Sequence, residues 1–312
     1  MACTRYVRVA RIGVSLLARE KREEAGNGMA VSVTEEQWNA VRESLRTAAR
    51  RFCELMSCVS DPGTKVAGKW SAADVAAHVA AIAWIDTTLL EATPDPFPMP
   101  GLAEAIQATT VDGVHGLNDR VLDCFRERDL SKITAMLSGH VDLMLAASRT
   151  REPGQTVAWL ADSRVTLAGL LAHLVNELLQ HGYDIARAVK VPWAVAGEDA
   201  AFFFELFYVA LAKGEPGRLL DGSKRPVDRR IAVEFRSGFT TPVTIVVRNG
   251  QVTAEPAGSG TDIKIRFDPA ALNMMMFGRL SKTRAVLTGK VVVSGRRPWL
   301  LPAFLRTVRA PS

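Results

Sequence analysis

The stretch that decides the fold is Leu167-Ala-Gly-Leu-Leu-Ala-His173-Leu-Val-Asn-Glu177-Leu-Leu-Gln-His181-Gly-Tyr-Asp184-Ile-Ala-Arg-Ala-Val189. Thr166 precedes it as an N-cap, and Leu, Ala, Val and Ile fill most of its positions, so it reads as a long, largely buried helix. Four ionisable side chains interrupt the apolar run. His173, Glu177 and His181 follow at four-residue steps and Asp184 comes three later. At about 100° per residue they share roughly 80° of arc. Ionisable groups on a buried helix face cost free energy unless they pair or bind something. Glu177 and His181 can reach one ion together, and metal coordination accounts for the stripe most economically.

One helix rarely completes such a site, so a ligand is expected from a facing helix. Ser71 and Asp74 form a capping box that opens a helix running to about Leu90, and His78 stands on it within Ala76-Ala-His78-Val-Ala80. The small neighbours leave room for the ring to turn inward. Two histidines and one carboxylate leave a fourth position open for water or substrate, which separates a catalytic site from a closed structural one. We therefore expect His78, Glu177 and His181 to hold a divalent metal. His173 is expected to support these ligands from behind, with service as a fourth ligand as the alternative. The competing reading is a satisfied core histidine at His78 and an ordinary buried pair at Glu177 and His181. Asp74 is read as a cap, and His115 and His140 as surface residues.

Outward from this helix, the first two-thirds of the chain keeps helical period. Thr34-Glu-Glu-Gln37 opens a helix with Trp38, Val41, Leu45, Ala48, Phe52 and Leu55 on one stripe, closed by the turn at Asp61-Pro-Gly63. Residues 93–101 carry four prolines and cannot be helix. A helical stretch over about 111–147 should break near 128–131, where Asp129 or Ser131 can cap a restart. Pro153-Gly154 marks a loop and 157–160 a short extended piece. Four long helices predict a four-helix bundle over 34–192. After Pro192 a helix over 200–213 leads into alternating strands at 229–235, 243–248, 252–254, 263–267 and 290–293, with a hairpin signal at Asn249-Gly250. Helices at 269–276 and 298–306 complete an α+β domain over 193–312, built on an antiparallel sheet. The fold class is thus α followed by α+β.

The chain has 312 residues, enough for about two domains. Its net charge of +6 is mild and concentrated at the two ends. No basic surface with aromatic or groove-entering partners is visible, which argues against nucleic acid. No apolar run reaches the roughly 18 residues of a membrane span, and the N-terminal apolar stretch lacks a cleavage pattern, so a cytoplasmic protein is expected. Residues 1–33 read as an extension outside the fold, with Met29 as a candidate start. Cys53 and Cys58 fit neither a redox pair nor a zinc pair, and buried or inert thiols are expected.

The segments Trp70-Ser-Ala-Ala-Asp-Val-Ala-Ala-His78, Leu117-Asn-Asp119 and His173-Leu-Val-Asn-Glu177-Leu-Leu-Gln-His181-Gly-Tyr-Asp184-Ile-Ala resemble the mycothiol-dependent maleylpyruvate isomerase family, over about residues 34–190. The resemblance implies a DinB-like four-helix bundle with zinc held by a histidine of the second helix and a glutamate and histidine of the fourth. Those positions map onto His78, Glu177 and His181. It also implies mycothiol, the small thiol of actinobacteria, as cofactor. Asn118, Asp119 or Asp184 would orient a ligand imidazole, and a basic side chain of the second domain would hold a substrate carboxylate. The last third, through Thr261-Asp262, Phe267-Asp-Pro269, Gly278-Arg-Leu280 and Gly289-Lys-Val-Val-Val-Ser-Gly295, resembles a sterol-carrier-protein-like domain. Met274-Met-Met-Phe277 and Trp299-Leu-Leu301 either line an apolar cavity there or fill a core.

The expected function is isomerisation of, or thiol transfer to, a small electrophilic substrate by a zinc- and mycothiol-dependent enzyme, as a monomer or homodimer. The alternative is a non-enzymatic binding protein for a lipid or other apolar ligand, with a structural metal site.

Overall fold

Two capping boxes set where the first long helices begin. The computed structural model describes residues 33–214, 229–258 and 260–308. The extension expected over 1–33 falls outside them apart from Val33. Thr34 Oγ1 accepts the Gln37 backbone N–H at 3.1 Å while the Gln37 side chain accepts the Thr34 N–H, opening α1 (Glu35–Ser57). Ser71 and Asp74 make the same exchange at the start of α2 (Ala72–Leu89). A short hairpin, β1 (Lys65–Ala67) with β2 (Trp70–Ser71), links the two. After the proline-dense connection come α3 (Leu102–Ala108), which periodicity does not reveal, and α4 (Val114–Cys124). The expected break follows. Asp129 Oδ1 accepts the N–H groups of Ser131 and Lys132 and opens α5 (Leu130–Ala147). A second hairpin, β3 (Thr156–Ala158) with β4 (Arg164–Thr166), delivers the chain to α6 (Leu167–Val189), which Thr166 caps through the Gly169 N–H.

The four long helices lie side by side, α1 and α2 each packed against both α5 and α6. Leu45, Phe52, Leu137, Met144, Leu170 and Leu171 are fully buried between them. Helix α2 is buried on almost every side. Ala72, Ala76, Ala77, Ala80 and Ala83 let its neighbours approach closely, and His78 and Asp86 are buried with it.

The helix expected over 200–213 is present but not uniform. It runs as α7 (Gly197–Phe202), a π-helical segment (Phe203–Val209) and α8 (Ala210–Gly214). The wider π turn re-aims successive side chains. Phe203, Leu206, Phe207 and Leu211 enter the core of the four helices, whereas Phe204, Tyr208, Val209 and Ala212 enter a second core over the sheet.

That sheet has the order β7-β6-β5-β8-β9, from β5 (Ile231–Ser237), β6 (Thr240–Arg248), β7 (Gln251–Pro256), β8 (Ile263–Phe267) and β9 (Val291–Gly295). Asn249 and Gly250, at φ 51° and 79°, make the tight turn that a two-residue hairpin needs. The sheet is not wholly antiparallel, as the strand pattern had suggested. Strand β8 lies on the side of β5 away from β6 and runs parallel to β5, with Val233 opposite Ile263. Strand alternation reports which residues face the core but not the direction of a neighbour. Helices α9 (Pro269–Met276), α10 (Lys282–Leu287) and α11 (Leu301–Thr307) complete the region. Asn273 of α9 donates to Asn176 Oδ1 and to the Ala200 carbonyl, seating α9 against α6 and α7. Among the described residues no helix is long and apolar enough to cross a membrane.

Candidate metal centre

Helices α2 and α6 bring His78, Glu177 and His181 together, with one donor atom from each lying within 4.8 Å of the others. His78 Nε2 is 3.7 Å and His181 Nε2 is 3.3 Å from the same carboxylate oxygen, Oε2 of Glu177. Both separations exceed an ordinary N–H···O hydrogen bond of about 2.7–3.2 Å. A tetrahedral ion with bonds of about 2.1 Å holds its donors roughly 3.4 Å apart. Donor chemistry and these two separations are compatible with a single divalent ion.

His173 stands one turn before Glu177 and faces its other oxygen, with Nε2 3.6 Å from Oε1. Its ring packs between Trp159 and Phe207, each about 5.1 Å away between centroids. Asp184 Oδ2 lies 3.5 Å from His181 Nδ1, an ion-pair separation longer than a hydrogen bond. Arg279, from the loop after α9, grips Asp184 with Nε on Oδ1 at 2.9 Å and Nη2 on Oδ2, and its Nη1 donates to the Phe277 carbonyl. Trp70 covers the outer face of the His78 ring at 4.9 Å.

Burial lowers His78 and His173 from the usual histidine range, more than Glu177 restores, and so favours the neutral imidazole that a metal requires. Burial would also lower His181, but the Asp184 and Glu177 carboxylates beside it raise it instead. For Glu177 burial acts upward, yet the surrounding imidazoles hold the group well below the ordinary carboxylate range.

The donors open on a cavity of about 260 Å³ whose walls include Ile82, Leu102, Ile106, Val121 and Leu160 from the helices and Phe277 and Arg279 from the sheet region. Asn118 also lines it, whereas Asp119 is taken up by Lys69 at 3.0 Å. His115 stands exposed and touches the cavity lining. His140, read as a surface residue, is half-buried. Its Nδ1 is 2.9 Å from Thr87 Oγ1 and its ring stacks on Trp84, a pairing between α2 and α5 that its polar sequence neighbours conceal.

Sequence reasoning missed Asp86, Asn176 and Gln180, which line the cavity, and gave Arg279 no role. Asp86 stands eight residues after His78, about 80° round the helix, and that spacing was the readable signal. Burial, with Glu177 adding to it, raises the Asp86 carboxyl well above the usual range.

A second cavity of about 580 Å³ lies within the sheet region, lined by Phe204, Tyr208, Phe235, Leu272, Met275 and Phe304 among others. Of the residues considered for such a cavity, Met275, Met276 and Leu301 line it, Phe277 faces the metal cavity, and Trp299 is exposed.

Residues 220–297 match the model of the SCP-2 sterol transfer family, over the region whose sequence resembles that domain. Among solved structures, the chain is similar to the mycothiol-dependent maleylpyruvate isomerase at 13% identity, with 82% of this chain and 92% of that chain covered and a TM-score of 0.43. A point mutant of that enzyme gives 13% identity, the same coverage and a TM-score of 0.44. The stereoselective inverting sec-alkylsulfatase from Pseudomonas sp. is 14% identical over 47% of this chain and 25% of that chain, with a TM-score of 0.28. No curated protein sequence matches the chain.

Proposed function

We propose that the chain is a zinc-dependent enzyme that uses a small external thiol, mycothiol, to isomerise or thiolate a small electrophilic acid. The observation that carries this reading is the spacing of His78, Glu177 and His181 at the wall of a mostly apolar cavity. A divalent ion held there supplies a Lewis acid that favours the thiolate form of a thiol brought to it. The chain's own residues do the rest. Apolar walls exclude water, and the Asp184 carboxylate faces the His181 ring at 3.5 Å. Arg279 carries five N–H donors, of which Asp184 and Phe277 take three, so two remain to hold a carboxylate at the cavity wall. No cysteine lines the cavity among the described residues, which suits a thiol supplied from outside.

The test is turnover of a panel of conjugated acids by zinc-loaded protein with and without mycothiol. Thiol-dependent turnover without thiol consumption identifies an isomerase, and stoichiometric consumption identifies a transferase. Turnover indifferent to thiol contradicts the proposal.

The 580 Å³ cavity, with the SCP-2 match over the same region, favours a second role for that part of the chain. Its aromatic and methionine walls suit an apolar ligand such as an acyl chain. Lys282 at the lining is placed to meet an acidic head group. Co-purifying lipid, read by mass spectrometry after gentle extraction, supports it. Failure to bind any fluorescent fatty acid contradicts it.

A further inference from the structure

Four side chains that line the metal cavity are buried without satisfying their polar atoms. Asp86, Trp159, Asn176 and Gln180 are 0%, 7%, 1% and 2% exposed. Among the described residues, both Asp86 oxygens, the Trp159 indole nitrogen, the Asn176 Nδ2 and both polar atoms of Gln180 have no hydrogen-bond partner. Unsatisfied buried polar groups are rare in folded proteins, and several converging on one cavity call for an occupant.

We propose that Asp86 and Gln180, with the Trp159 indole N–H, form a polar subsite in this cavity that selects ligands carrying a neutral amide or hydroxyl group. Asp86, Gln180 and Trp159 line the same cavity as His78, Glu177 and His181, so the subsite and the metal donors can hold different parts of one small molecule. Asp86 is fully buried, and burial, with the Glu177 carboxylate adding to it, raises its carboxyl well above the usual range and so favours the protonated form. A carboxylic acid offers one donor with acceptor capacity, and a glutamine amide offers both kinds. Their complement is a group that also donates and accepts, which an amide or a hydroxyl does. An anionic group is served elsewhere, by Arg279, and would be repelled here by Glu177. The assignment rests on the proposed metal centre only for the orientation of the ligand, since the subsite stands on its own unpartnered atoms.

The experiment compares two thiols of matched length, N-acetylcysteamine and pentanethiol, binding to full-length protein loaded with cobalt(II). The sulfur-to-cobalt absorption band gives the affinity. Wild type is expected to prefer the amide-bearing thiol by roughly tenfold or more. Asp86→Leu should abolish that preference, while Asp86→Asn, which keeps a donor and an acceptor, should retain most of it. Equal affinities in wild type, or a preference unaltered by Asp86→Leu, overturn the subsite. A parallel saturation-transfer NMR measurement uses N-ethylacetamide on metal-free protein. No cobalt band with either thiol, together with an N-ethylacetamide signal that Asp86→Leu removes, sinks the metal centre and leaves the subsite standing. Loss of both readouts in wild type sinks both.

Discussion

Arg279 and Asp184 face each other with two parallel hydrogen bonds, Nε to Oδ1 and Nη2 to Oδ2, and through this pair the sheet region closes on the helix that carries Glu177 and His181. Asp184 also stands 3.5 Å from His181 Nδ1. One carboxylate thus faces both His181 and the contact between the two parts of the chain. Asp184→Asn keeps the shape but loses the charge that faces His181. It should weaken metal binding by about 10- to 100-fold, as loss of such supporting partners does elsewhere. Competition with a metal-sensitive dye measures this, and an affinity equal to wild type would show that Asp184 serves only the contact with Arg279.

Gly182, next to His181, meets the Trp193 ring. A Cβ there would fall 2.2 Å from Trp193 Cζ2. The ring cannot move aside freely, because its Nε1 donates to the Leu179 carbonyl at 3.0 Å and Arg51 lies over its face. Gly182→Ala should lower stability by about 1–3 kcal/mol. Urea denaturation reads the loss, and a midpoint within error of wild type would mean that the contact yields.

Asp86 predicts a pH dependence of stability. Its carboxyl is raised in the folded chain by burial, with Glu177 adding to it. The folded state therefore holds the proton above the unfolded value of about 3.9. In that window the folded state binds more protons than the unfolded one, so the Asp86 contribution to stability falls as pH rises. Asp86→Asn cannot titrate. The stability of the variant relative to wild type should increase from about pH 4 toward neutrality, and the carboxylates that do not interact with Asp86 cancel in the difference. Denaturation curves that stay parallel across this range would rule the shift out.

Leu272, Met275 and Phe304 bound the larger cavity. Leu272→Trp should fill part of it and abolish binding of a fluorescent fatty acid, leaving metal content unchanged because none of these residues lines the metal cavity. Undiminished fatty-acid binding would place the ligand elsewhere.

Much of this architecture was legible because its signals are local. Thr34, Ser71, Asp129 and Thr166 announced helix starts through the hydrogen bonds they make within three residues, and Asn249-Gly250 announced a turn by its backbone alone. His173, Glu177 and His181 were legible because helical period fixes a shared face within one segment. What escaped depends on partners distant in sequence. The parallel course of β8 beside β5 is set by a crossover, not by either strand. The π turn at 203–209 is set by two cores pulling on one helix. Arg279 acquires its place only once α9 docks on α6, and Asp86 was overlooked because a carboxylate in an alanine-rich helix has no obvious reason to be buried until the cavity is seen.

The most direct test of the central claim is metal content per chain in wild type beside His78→Ala, Glu177→Ala and His181→Ala, with circular dichroism to confirm that the helices persist. Close to one equivalent of zinc is expected in wild type, with a large loss in each of the three variants and helicity intact. Wild type that takes up no zinc, and gains no thermal stability when zinc is supplied, would contradict it and reduce the three residues to a buried polar cluster.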